Sequence, residues 1–168
     1  MLEYPKIFIS TGSRMKINVI IVDKKGKDRL YAPLVEHFIK ISKPFGEVTV
    51  IEIFNKEIAK AQDISPAAAK KSYSRAFEKY LSGTSYSVAL DPSSKELDSM
   101  EFAELFKNRS SVNLFIGGAY GLEEEFLRKC NTTVSLGKIT LSHKLVKVVV
   151  LEQIFRALSI NNHHPYHK

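Results

Sequence analysis

The chain has 168 residues, 44% of them hydrophobic, which is enough to bury one core but too few for two domains of ordinary size. Its 25 Lys and Arg outnumber its 18 Asp and Glu, and the formal net charge of +7 suits a polyanionic partner or an acidic membrane surface, although it equally serves solubility. The single Cys130 excludes an internal disulfide, and no paired Cys or His spacing indicates a zinc site. No apolar run reaches the roughly 18 residues of a membrane span. We therefore expect a cytoplasmic protein that binds neither a membrane nor a metal ion.

The first 14 residues are predicted to lie outside the core fold. They carry two basic residues and a short apolar patch, which is too little for the hydrophobic region of a secretory signal. A clear strand pattern begins only after Met15. We therefore interpret residues 1–14 as an extension or an alternative start, and residues 15–168 as one domain.

The first half of this domain begins with a strand, a helix and a second strand. Residues 17–22 are rich in β-branched side chains, residues 30–41 show helical spacing, and residues 48–54 again indicate a strand. Residues 55–64 are polar, and we expect them to be irregular. The next helix is predicted to begin after Ser65 as its N-cap, with Pro66 in the first turn and Gly83 beyond its end.

The second half continues the alternation of strands and helices. Strands are predicted at residues 86–90, 112–116 and 133–136, and helices at residues 98–106, 122–129 and 145–160. The last helix is apolar on most sides, so we expect it to be largely buried, with Glu152 paired to Arg156 four residues later. The alternation predicts the α/β class, a mostly parallel sheet flanked by helices.

Three glycines, Gly117, Gly118 and Gly121, stand between a strand end and a helix start. Backbone amides in such a turn can approach a ligand closely, although a tight turn alone also explains glycines there. The Gly-Lys-Ser/Thr of a P-loop and the later acidic residue of a dinucleotide site are both missing. The turn therefore does not predict a nucleoside triphosphate or NAD site.

Two later segments are further candidates. Residues 136–143 follow a strand end, where open α/β sheets bind ligands; they form either a pocket wall or an ordinary connection that leads into a helix at His143. The tail at residues 161–168 holds three of the five histidines together with Tyr166 and Lys168. It is similar to part of a purification tag, and it also offers the donors, ring and cation that suit RNA.

Taken together, these motifs resemble one family. They are Ile116-Gly117-Gly118-x-x-Gly121-Leu122, Ser135-Leu136 to Thr140-Leu141-x-His143, Leu145-Val146-Lys147-Val148, Glu152-Gln153, Arg156-Ala157 and His164-Pro165-Tyr166-His167-Lys168. The pattern is similar to that of the ribosomal RNA large subunit methyltransferase H family (RlmH, also YbeA), which is a branch of the SPOUT methyltransferases. The resemblance covers residues 15–168 and is strongest from residue 114 onward.

The resemblance implies a homodimer with a carboxyl-terminal trefoil knot that binds S-adenosyl-L-methionine and methylates N3 of a pseudouridine of 23S rRNA in the assembled 70S ribosome. It assigns His167 and Tyr166 to catalysis, and His143, His164 and Lys168 to RNA contacts. It assigns to the cofactor Leu90, Gly117, Gly118, Gly137, Lys138, Ile139, Thr140, Leu141 and Ser142. The family usually has proline where this chain has Ser142, and a glycine-lysine turn where this chain has residues 23–27.

N3 must lose its proton before it can accept a methyl group, and His167 is the expected base, with Tyr166 orienting the substrate ring. Lys138, Lys147 and Lys168 either neutralise phosphates or are ordinary solvated lysines. Two alternatives remain: a non-catalytic ribosome- or RNA-binding protein of the same fold, and an unrelated α/β enzyme that binds a nucleotide at residues 117–121.

Overall fold

A five-stranded parallel sheet forms the centre of the computed structural model, which describes residues 14–26 and 28–167. The strands are β1 (Lys16–Val22), β2 (Glu47–Ile53), β3 (Tyr86–Leu90), β4 (Ser111–Ile116) and β5 (Thr132–Val134). Their order is β2-β1-β4-β3-β5, and every neighbouring pair is parallel. The prediction of an α/β fold with a parallel sheet is confirmed, and all five carboxyl ends meet at one edge.

Helices cover both faces of this sheet. One face carries α1 (Ala32–Ser42), α4 (Ser99–Glu104) and α6 (His143–Asn161), and the other carries α2 (Lys56–Ile64), α3 (Pro66–Glu78) and α5 (Glu124–Lys129). Strand β1 shows why both layers are needed. Ile17, Val19 and Ile21 pack into the first layer, while Ile20 and Val22 alternate into the second.

The prediction that residues 55–64 are irregular is wrong, because they contain α2. The side chain of Asn55 accepts a hydrogen bond from the backbone N–H of Ile58 at 2.9 Å, and Ile58 and Ala61 are buried one turn apart. The following cap is confirmed: Ser65 accepts from the N–H of Ala68 at 3.1 Å, and Pro66 begins α3. The other predicted bounds lie within three residues of the observed ones, and those of β3 are identical.

Helix α6 is the longest in the described residues and is largely buried, as predicted. It begins at His143, two residues earlier than expected, because the Ser142 hydroxyl accepts from the N–H of Leu145 at 3.4 Å. It ends in a Schellman turn, in which His163 has a φ of 54° and the N–H of His164 donates to the Ser159 carbonyl at 2.8 Å. Within the described residues no helix could span a membrane.

Candidate functional site

A cavity of about 410 Å³ lies at the carboxyl edge of the sheet. Its walls are the ends of β3 and β4, the glycine turn after β4, the loop at residues 135–142 and the first turn of α6. Both its size and its position are typical of small-ligand sites in open α/β folds. The lining includes these residues singled out from the sequence: Leu90, Gly117, Gly118, Gly137, Ile139, Thr140, Leu141, Ser142 and His143. Lys138 is exposed and is not part of the lining.

The first two glycines of the turn after β4 are packed too closely to carry side chains. A Cβ on Gly117 would lie 2.9 Å from the carbonyl carbon of Gly121, and a Cβ on Gly118 would lie 2.8 Å from the ring of Tyr73. Tyr73 is fully buried, and this burial raises the pKa of its hydroxyl, which accepts a hydrogen bond from Gln62 at 2.7 Å. Gly117 and Gly118 therefore present backbone, rather than side chains, to the cavity.

The remaining walls combine apolar side chains with backbone polar groups. Ile116, Val134 and Val146 line the cavity, and the loop at residues 136–142 belongs to no helix or strand, so its amides and carbonyls can bind a ligand. Among the lining residues, all within the described part of the chain, Asp91 is the one acid. The sequence interpretation missed it, although its position directly after Leu90 at the end of β3 was a usable signal.

The carboxyl-terminal tail packs against the far half of α6. The Tyr166 ring lies 4.6 Å from that of Phe155 and 4.7 Å from the Arg156 guanidinium, and its hydroxyl donates to Glu152 Oε1 at 2.9 Å. The predicted Glu152–Arg156 pair is confirmed, with Arg156 Nε donating to the same oxygen at 3.1 Å. Nη1 of Arg156 lies 3.4 Å from Nδ1 of His167. The predicted RNA contact at Lys168 lies outside the described residues.

The cavity lies at the start of α6, whereas the tail is anchored at the middle and in the second half of this helix. Glu152 and Arg156 follow His143 by nine and 13 residues, and at about 1.5 Å per residue they lie about 13 to 20 Å along the axis from it. Tyr166 and His167 are therefore not brought to the cavity of their own chain. The ring of His164 packs elsewhere, 5.4 Å from that of Phe45 and 6.2 Å from that of Phe155.

Comparison with known proteins identifies the family. The family described as "Predicted SPOUT methyltransferase" matches residues 15–167. The chain belongs to the SPOUT methyltransferase family. It is 71% identical over 154 residues to the ribosomal RNA large subunit methyltransferase H of Sulfurovum sp. (strain NBC37-1), which covers 92% of this chain and 100% of that protein. Proteins of the same name from Aliarcobacter butzleri and Wolinella succinogenes are each 46% identical over 92% of this chain and all of their own lengths. The resemblance inferred from the motifs is confirmed.

This SPOUT methyltransferase contains a buried ionic cluster beside its cavity. Nζ of Lys147 lies 3.0 Å from Asp23 Oδ2 and 2.6 Å from Glu52 Oε1, and Lys147 is only 2% exposed. The interpretation of Lys147 as a phosphate-binding or solvated lysine is therefore wrong. Burial alone would lower the pKa of Lys147, but the two carboxylates more than offset this effect and raise it.

The cluster reaches the cavity through His143. Nε2 of His143 lies 3.4 Å from Asp23 Oδ1, while Lys144 forms its own ion pair with Asp28 at 3.0 Å. Burial would raise the pKa of Asp23, but the hydrogen bond and charge of Lys147, with smaller effects of His143 and Lys144, hold it below its usual range. We call Asp23, Glu52, His143 and Lys147 the Asp23 cluster. The sequence interpretation missed it because its three contacts join residues 95 to 124 positions apart: Asp23 after β1 and Glu52 in β2 contact His143 and Lys147 in α6.

One reactive side chain can be set aside. Burial raises the pKa of the Cys130 thiol to about 12, so the thiolate that acts as a nucleophile is not formed near neutral pH. Among the residues that the structure describes, no group of three or more His, Cys, Asp and Glu is placed to hold a metal ion.

Proposed function

We propose that this methyltransferase uses S-adenosyl-L-methionine to methylate N3 of a pseudouridine in 23S rRNA. The observation that carries the proposal is the cavity, because its wall contains eight of the nine residues that the family resemblance assigns to the cofactor. The relatives named for ribosomal RNA of the large subunit supply the substrate class. An assembled 70S ribosome as substrate would place the activity in the cytoplasm.

The cavity walls fit this cofactor chemically. Apolar side chains such as Ile116 and Val134 suit the faces of an adenine ring, and the backbone of the loop at residues 137–142 suits its polar edge. Asp91 places a carboxylate in the wall, which suits a cofactor with a positively charged sulfonium. When bound, the cofactor supplies a methyl group already activated for transfer. The protein's part is to hold it, align the acceptor nitrogen and exclude water.

The proposed RNA contacts surround the mouth of this cavity and the tail. His143 lies in the cavity wall, and Lys138, which is also a candidate for phosphate contact, is exposed on the loop that forms part of this wall. The net charge of +7 favours a polyanion and adds long-range attraction to rRNA phosphates. His164 and Lys168 remain predicted RNA contacts. The ring of His164 packs against Phe45 and Phe155, which reduces the surface that it can offer to RNA.

We further propose a homodimer in which the tail of one subunit serves the cavity of the other. The support is geometric: Tyr166 and His167 are anchored to Glu152 and Arg156, and so are held away from the cavity of their own chain. A dimer would let these two side chains orient the substrate base. The trefoil knot and the interpretation of residues 15–168 as one domain remain predictions that go with this proposal.

The test is methyl transfer from radiolabelled S-adenosyl-L-methionine to ribosomes from cells that lack the activity. We expect label at one pseudouridine of the large subunit, located by nuclease digestion and mass spectrometry. A Tyr166→Ala His167→Ala variant should bind the cofactor in calorimetry yet transfer little label. Cofactor binding without transfer would point to another RNA. A wild-type protein that binds ribosomes but no cofactor would favour the non-catalytic RNA-binding alternative.

A further inference from the structure

Within the Asp23 cluster, Asp23 contacts a histidine of the cavity wall through one ring nitrogen, Nε2 of His143, at 3.4 Å. Asp23 is 5% exposed, and its pKa lies below the usual range, so its carboxylate is ionised at neutral pH and can only accept hydrogen bonds. The nitrogen of His143 that faces it, Nε2, must therefore carry the hydrogen. In the neutral ring this leaves the lone pair on Nδ1, the nitrogen that faces away from Asp23.

We propose that His143 accepts the proton of the substrate nitrogen and that Asp23 is the positioning residue that holds its ring. The inference rests on the proposed function, and it assigns to His143 a role in proton transfer rather than in RNA contact. A buried carboxylate that orients a histidine at a substrate cavity is an arrangement that supports general-base catalysis.

The charges around His143 favour this role. Two carboxylates, Asp23 and Glu52, face one ammonium, Lys147, so one negative charge of the cluster stays uncompensated while His143 is neutral. The remaining charged groups near it, Lys144 and Asp28, neutralise each other in their own ion pair. A proton on His143 leaves the four groups of the Asp23 cluster without net charge.

Proton transfer and methyl transfer balance with three reacting groups: N3 of pseudouridine, the methyl sulfonium of the cofactor and His143. The N3–H bond of pseudouridine breaks and its proton moves to Nδ1 of His143. The N3 electron pair forms the new bond to the methyl carbon, and the electrons of the broken carbon–sulfur bond stay on sulfur, which loses its positive charge. His167 is placed less well for this step, because the Arg156 guanidinium points at its Nδ1 from 3.4 Å.

The experiment compares His143→Gln, Asp23→Asn and, as a matched control, His37→Gln on the exposed side of α1. Single-turnover methyl transfer to ribosomes and calorimetric cofactor affinity are measured for each protein. For His143→Gln we expect a rate loss of roughly 10² to 10⁴ fold, the usual contribution of a general base. The cofactor Kd should change less than about threefold, because only transition-state interactions are removed.

Two further readouts separate proton transfer from a structural role. Added imidazole should restore part of the activity of His143→Ala, and the pH dependence of the single-turnover rate near neutrality should change in His143→Gln but not in His37→Gln. Asp23→Asn should lower the rate less than His143→Gln does, and the double variant should lose little more than His143→Gln alone, since both changes act through one ring.

The outcomes distinguish the inference from the proposed function. A His143→Gln rate within about fivefold of wild type would overturn the inference while leaving methyl transfer intact. A rate loss matched by an equal loss of cofactor affinity, or an unchanged pH profile without imidazole rescue, would also overturn it. If wild-type protein transfers no methyl group to ribosomes, the proposed function fails and the inference fails with it.

Discussion

At the scale of one residue, the position of Gly118 in the cavity wall depends on Tyr73, a residue far away in sequence. The sequence identified the glycine as a turn residue, but nothing in its spacing indicated that Tyr73 packs directly behind it. Tyr73 is fully buried and hydrogen-bonded to Gln62, so its ring cannot move aside at low cost. The glycine is thus required by its packing against Tyr73 rather than by a positive φ.

We expect Gly118→Ala to weaken cofactor binding by about tenfold or more. The added Cβ would lie 2.8 Å from the Tyr73 ring, so the turn must shift towards the cavity, and overpacking of this kind typically costs about 1–3 kcal/mol. Calorimetry with S-adenosyl-L-methionine measures the change. The control is Gly83→Ala, where nothing lies within 4 Å of the added atom. Equal affinities for the two variants would contradict the role given to Tyr73.

At the scale of elements, Lys147 joins three of them: α6 carries it, Asp23 follows β1, and Glu52 lies in β2. Replacing one member of a buried ionic cluster leaves the others charged and desolvated. The ionic contacts connect the central part of the sheet with the longest described helix. Their loss should therefore lower the free energy of global unfolding rather than that of a local opening.

We expect Lys147→Met to lower the free energy of unfolding by about 3–5 kcal/mol at pH 7, and by less near pH 3. In the wild type the pKa of Asp23 is below its ordinary value of 3.8, so its contribution is present above pH 3.8 and lost as the pH falls below it. In the variant, burial acts without Lys147 and raises the pKa of Asp23, so the ionised carboxylate destabilises the fold as the pH rises.

Urea unfolding at both pH values measures this difference. Lys144→Met is the matched control, because its ion pair with Asp28 is much more exposed, and its loss should be far smaller. If Lys147→Met lowers the free energy of unfolding equally at pH 7 and near pH 3, the charge of Lys147 does not affect the protonation of Asp23.

The order of strands and helices was largely predictable, because buried parallel strands and capped helices carry local signals. Helix α2 was missed because two buried residues, Ile58 and Ala61, give it only a narrow apolar side, although its Asn55 cap was visible in the sequence. The sheet order β2-β1-β4-β3-β5 and the Asp23 cluster depend on crossovers between distant segments, which no local pattern encodes. The glycine turn and the loop at residues 136–143 could be proposed as pocket candidates from the sequence, but their assignment to a cofactor came only through the family resemblance.

At the scale of the whole molecule, the proposed active site needs both the cavity and the carboxyl-terminal tail, which lie apart within one chain. The cavity lies at the start of α6, and the tail is anchored to Glu152 and Arg156 at its middle and in its second half. A dimer with two-fold symmetry brings the same two surfaces together twice, so each active site would take its cavity from one subunit and its tail from the other.

We expect two inactive variants to restore activity when they are mixed. One is His143→Gln, and the other is Tyr166→Ala His167→Ala. After unfolding and refolding in equal amounts, half of the dimers contain both variants, and each mixed dimer has one intact site, so activity should return to about one quarter of wild type. Separately refolded and then combined proteins are the control. No recovery would mean that each tail serves its own cavity.

The Schellman turn at His163 leads from α6 into the tail in one fixed direction. The helix therefore sets both the distance and the angle between the cavity at its start and the tail that follows it. A single residue inserted after Lys147 would lengthen the helix by only about 1.5 Å, but it would turn everything beyond it by about 100° around the axis. Tyr166 and His167 would remain chemically intact and point to another side. In the proposed dimer, the helical phase of α6 therefore determines whether Tyr166 and His167 reach the cavity of the other subunit.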